Sequence, residues 1–129
     1  MRTFESGATR DTDQGKLNYA GFLSPEVIER YALYLHKHRI QADGKVRDAD
    51  NWKKGIPKKV YIESMFRHFM DVWKEYEGLQ SRDGLQDGLC GLLFNTMGYL
   101  FEDIKEQRNA QKQQADLSGN ESALPAVYP

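Results

Sequence analysis

Cysteine occurs once, at position 90, no apolar run approaches the length of a membrane span, and neither sign of charge predominates, the formal net charge being −1. The single thiol excludes an intramolecular disulfide and a multi-cysteine zinc site. Within the apolar stretch LCGLLF it behaves as a small hydrophobe and fits a reducing compartment. A spanning helix needs roughly 18 consecutive apolar residues, and the N-terminal MRTFESGATRD lacks the apolar core of a signal peptide. These absences predict a soluble, cytoplasmic chain. The near-neutral balance excludes the global basic field of a generic nucleic-acid binder, so any anion site is local.

What the sequence holds is the make-up of one globular domain: 129 residues, 40% hydrophobic and 29% charged. Residues 1–23 contain Gly7, Gly15 and Gly21 among polar residues with no apolar period, and read as a loop. A first helix opens at Ser24 and Pro25, a cap followed by the residue favoured at the first helical position, and is expected to reach Arg39. Residues 40–57 form a connection longer than the two to eight residues usual between packed helices. A second helix is expected over 58–77, where Ile62, Met65, Phe66, Phe69, Met70, Trp73 and Tyr76 make one wide apolar stripe, read here as core. A third is expected over 84–109, with Gly84, Gly88, Gly91 and Gly98 suggesting close approach by a helix or a ligand. The expected class is all-α: one helical domain over 1–109 with a polar tail over 110–129. Three helices with wide apolar faces bury one another poorly, so a homo-oligomer is expected to complete the bundle.

Three constellations carry chemistry. In the loop from Gly7 to Lys16, glycine lets backbone N–H groups turn toward an anion, while Thr9, Arg10, Thr12 and Lys16 add hydroxyl and cationic donors. The spacing is not that of a Walker A loop, and a polar arm explains the composition equally well. The second is the loop Arg47, Asp48, Ala49, Asp50, Asn51, Trp52, Lys53, Lys54: an indole beside cations suits stacking on a base with phosphate contact, and Asp50 or Asn51 can read a base edge or ribose. Alternatively, Trp52 covers the end of a helix. The third is Arg67, His68 and Asp71, where the i, i+3 spacing puts His68 and Asp71 on one face, Asp71 orienting the imidazole or holding it charged; a plain Arg67–Asp71 ion pair is the alternative.

Catalytic signatures are absent. No Ser/His/Asp signature, CxxC or His-Asp dipeptide is present, and His36 and His38, two apart on a helix, diverge. A magnesium site would have to draw on acids such as Glu63, Asp71, Glu75 and Asp87, with no repeated carboxylate motif to mark it.

The segments FESGATRDTDQGK, FLSPEVIERYALYLHKHR, QADGKVRDADNWKKGIP, FRHFMDVW and LCGLLFNTMGYL, in that order over about residues 3 to 103, resemble the phage family described as dATP/dGTP diphosphohydrolase, N-terminal domain. The resemblance implies a phage protein of the host cytoplasm that binds purine deoxynucleotides and removes pyrophosphate from them, in the neighbourhood of the helical MazG-like enzymes. It carries the Gly7–Lys16 loop, the Arg47–Lys54 loop, Arg67, His68, Asp71 and Asn95 into a ligand pocket. The EExxE and ExxD pattern of the MazG-like enzymes is missing, and the sole ExxE opens the first helix. The expectation is therefore a sponge that sequesters a purine nucleotide or nucleotide-derived immune signal without turnover. The alternatives are a Mg2+-dependent dATP/dGTP pyrophosphohydrolase and an accessory domain docked on another phage enzyme.

Overall fold

The computed structural model describes residues 1–118 and is mainly α-helical, with a two-stranded sheet at the start of the chain. The described residues gather in two compact units, Met1–Ala32 and from Leu33 onward. No described helix is long and apolar enough to cross a membrane.

In the first unit, the stretch expected as loop holds local structure. β1 (Arg2–Thr3) pairs antiparallel with β2 (Thr9–Arg10), closed by a turn in which Gly7 N–H donates to Phe4 C=O. A single helical turn, α1 (Tyr19–Phe22), is capped by the Asn18 side chain, which accepts from Gly21 N–H. α2 (Pro25–Lys37) begins as its sequence predicts, with the Ser24 hydroxyl accepting from Val27 N–H, and stops two residues short of Arg39.

In the second unit, the long connection is an ordered hairpin rather than a bare loop. Arg39 and Arg47 exchange bonds, Arg47 N–H to Arg39 C=O and Arg39 Nε to Arg47 C=O, each at 2.8 Å, around a bridge between Ile40 and Val46. A 3-10 turn, Asn51–Lys54, follows. α3 (Lys58–Tyr76) then packs on α4 (Leu85–Ser118), which continues past its expected end at 109; residues 119–129 of the expected tail lie outside the described residues.

The α3–α4 contact is unusually close. A Cβ on Gly91 would overlap the His68 ring, and one on Gly98 would overlap the Tyr61 ring, so glycine at these two positions lets α3 side chains lie against the α4 backbone. The close approach belongs to a helix.

The expected core stripe is corrected. Ile62, Phe66, Phe69, Met70, Trp73 and Tyr76 are exposed, because α3 turns Tyr61, Asp71 and Val72 toward α4 instead. Among the described residues the buried apolar side chains are Tyr34, Tyr61 and Cys90.

Candidate functional site

A cavity of about 430 Å³ in the second unit opens between the C-terminal end of α2, the 39–52 hairpin and 3-10 turn, and the α3–α4 contact. Hairpin pairing fixes Arg39 and Arg47 at one wall, and the 3-10 turn brings in Asn51 and Trp52. From the helices come Tyr34, His38, Ser64, His68, Phe94 and Asn95. Two arginines and two histidines thus line it against a single acid, Asp48.

The polar groups are partly committed. His38 Nδ1 donates to Tyr34 C=O at 2.9 Å, so the ring carries a proton on that nitrogen. Asn95, buried, donates its amide to Gly91 C=O at 2.7 Å, leaving its amide oxygen for a donor. His68 Nδ1 is buried with no hydrogen-bond partner. Burial, followed by the charge of Arg82, pushes the His68 imidazole below its usual range, so it is neutral near pH 7. Burial pushes the Tyr34 phenol up, with Asp83 and Asp87 adding to it.

The reading of Asp71 is corrected in two respects. Its partner is Arg82 rather than Arg67: Nε donates to both carboxylate oxygens at 3.1 Å and Nη2 to one at 2.6 Å, and Arg82 also donates to the Arg67 carbonyl. His68 Nδ1 lies 4.0 Å from the nearer Asp71 oxygen, outside hydrogen-bond distance, so Asp71 neither orients the ring nor charges it. The guanidinium holds the Asp71 carboxyl below the usual carboxylate range.

Of the sequence-selected residues, Arg47, Asn51, Trp52, His68 and Asn95 come together at the cavity. Asp50, Lys53, Lys54, Arg67 and Asp71 stand outside its lining, with Lys53 over the Trp52 ring and Lys54 reaching Asn51. Gly7, Thr9, Arg10, Thr12 and Lys16 belong to the first unit, where Gln14 N–H and Lys16 N–H are spent on local turns. The indole of Trp52 meets Phe101 and Phe94 edge-on, with centroids 4.7 and 6.4 Å apart, so it seals α4 as well as lining the cavity. Sequence reasoning missed Tyr34, His38, Arg39 and Phe94. His38 and Arg39 stand at the expected end of the first helix, and their position at the mouth of the long connection was the available signal.

The four acids considered for a metal have separate partners: Glu63 with Lys59, Asp71 with Arg82, Glu75 with Ser81, Asp87 with Lys37. Among the described residues, one group has metal-ligand proximity, His68, Asp71 and Asp83, with donor atoms within 4.8 Å of one another and Asp71 already held by Arg82. Comparison with family profiles, curated proteins and solved structures gives no match.

Proposed function

We propose that this chain binds a purine nucleotide, and that it sequesters the nucleotide or a nucleotide-derived immune signal without turnover, as a phage anti-defence sponge does. The observation that carries this reading is the meeting, in one cavity, of Arg39, Arg47, His38 and His68 with the rings of Tyr34, Trp52 and Phe94. Guanidinium groups match phosphate oxygens in pairs, an aromatic face takes the base, and the amides of Asn51 and Asn95 suit a base edge or ribose. The volume lies in the range of small-ligand sites. The family resemblance points to the same ligand class. The reading includes a homo-oligomer acting in the cytoplasm of a phage's host.

Binding is favoured over hydrolysis because metal-assisted pyrophosphate release needs several carboxylates on one ion, whereas Glu63, Asp71, Glu75 and Asp87 answer to four different partners. The second reading, a Mg2+-dependent pyrophosphohydrolase, draws on the His68, Asp71 and Asp83 group.

The test is to incubate pure protein with purine nucleotides and magnesium, denature it with heat, and chromatograph what is released. Intact nucleotide retained in near-stoichiometric amount is expected; a monophosphate with pyrophosphate establishes the second reading, and nucleotide that is neither retained nor cleaved removes both. By calorimetry, Arg47→Ala weakens binding by about tenfold or more, the loss of a charge-assisted contact, with little change in melting temperature because Arg47 is exposed. Trp52→Ala lowers affinity and stability together, since the indole also packs on Phe101.

A further inference from the structure

Along α3, Lys59, Ile62, Phe66, Phe69, Trp73 and Tyr76 follow one another at alternating intervals of three and four residues, the spacing of a coiled-coil seam. The face opposite this seam carries Ser64 and Asp71, and Asp71 is buried toward α4. The seam itself is open: Ile62 is 38% exposed, Phe66 68%, Phe69 50%, Trp73 51% and Tyr76 84%. At roughly 200 Å² for a fully buried aromatic, the four rings alone present about 500 Å². With Ile62 and Met70 beside them, the face approaches the roughly 800 Å² per partner of a standard stable interface. Among the described residues only three apolar side chains are buried, and the α3 seam gathers four exposed aromatic rings on one helix face.

The charges choose the occupant. Lys58 at the start of α3 is held by Asp103 and Glu106 of α4, Glu75 near its end accepts from Ser81, and Lys74 shares the last turn, so the end charges left beside the seam are Lys59 and Glu77. An antiparallel copy of the same helix sets Lys59 of each chain beside Glu77 of the other, an opposite-charge pair at both ends of the seam. Aligning the seam on itself pairs Phe66 with Phe69, Ile62 with Trp73 and Lys59 with Tyr76 of the second copy. That is the alternation of unlike seam positions expected of antiparallel helices, and it repeats identically under a two-fold axis. Lys59, 85% exposed at its side chain and only 3.9 Å from Glu63, then reaches both the ring of Tyr76 and the carboxylate of Glu77 in the second copy.

We infer that two copies of this chain pair through α3, antiparallel and two-fold symmetric, with Phe66 and Phe69 at the centre and a Lys59–Glu77 contact at each end. This gives self-association a defined surface and holds whether or not the cavity takes a nucleotide.

Sedimentation velocity of the full chain at tens of micromolar tests it. The expected mass is twice 14.9 kDa, or a multiple of that pair, and Phe66→Glu reduces it to the single chain. Should Phe66→Glu unfold, the rim decides: Lys59→Glu and Glu77→Lys each raise the dimer dissociation constant by about tenfold at low salt, and the double exchange restores it, since two symmetric contacts reverse together. A single-chain mass for the unaltered protein overturns the proposal and leaves the face to an unrelated partner. A dimer indifferent to the three variants, or a double exchange without recovery, overturns it equally.

Discussion

Asp71 is 2% exposed and carries a charge, so its cost of burial is offset only by the three hydrogen bonds from Arg82. Arg82→Ala strands that carboxylate, and a loss of about 2 kcal/mol is expected in urea unfolding at neutral pH, moderated by the exposure of the Arg82 side chain. The pH dependence follows from two depressed groups. Burial holds His68 below its ordinary value of 6.5, so its contribution is full above that value and declines as pH falls below it. Arg82 holds Asp71 below its ordinary 3.8, so that contribution persists to lower pH and is lost as the carboxyl protonates. The native chain therefore weakens in acid in two stages. The deficit of Arg82→Ala is largest near neutrality and shrinks below about pH 4, because protonating Asp71 removes the interaction that the variant lacks. A deficit constant across that range would show that Arg82 acts through packing alone.

At the scale of elements, the α3–α4 contact makes opposite predictions for two glycines on one helix. Gly98→Ala drives a methyl into the buried ring of Tyr61 and is expected to destabilise by about 1–3 kcal/mol. Gly88→Ala meets Asp71 Cβ and Val72 Cγ2 at 3.4 Å, ordinary contact, and gains up to about 1 kcal/mol of helix propensity. Parallel thermal melts of the two variants check the signs. Helix positions were legible beforehand because capping at Ser24 and Pro25 and the stripe of α3 are local signals. The role of the stripe was not. Periodicity states that one face is apolar but carries no information about which neighbour covers it, and here α4 takes the face of Tyr61 and Asp71. Part of the site was legible for the same reason: Arg47, Asn51 and Trp52 lie in one short segment, whereas joining them to Tyr34 and Phe94 required knowing how the hairpin folds onto the helices. The Asp71–Arg82 pair spans 11 residues and a turn, beyond any helical spacing rule.

For the whole molecule, the proposed α3 pairing makes association a source of stability for a chain whose described apolar core is small. Its melting temperature is therefore expected to rise with protein concentration, and a concentration-independent melt would mean that the single chain is stable alone. Wherever the seam is covered, the hinge between fold and function lies in two indoles. The chain has two tryptophans: Trp52 at the cavity wall beside Lys53, and Trp73 in mid-seam, half exposed, with its Nε1–H donated to Glu77. Under the two proposals, one faces ligand and the other faces a neighbour. Fluorescence from single-tryptophan forms thus separates the two events optically, the Trp52 emission following occupancy of the cavity and the Trp73 emission shifting to the blue as water leaves the pairing face.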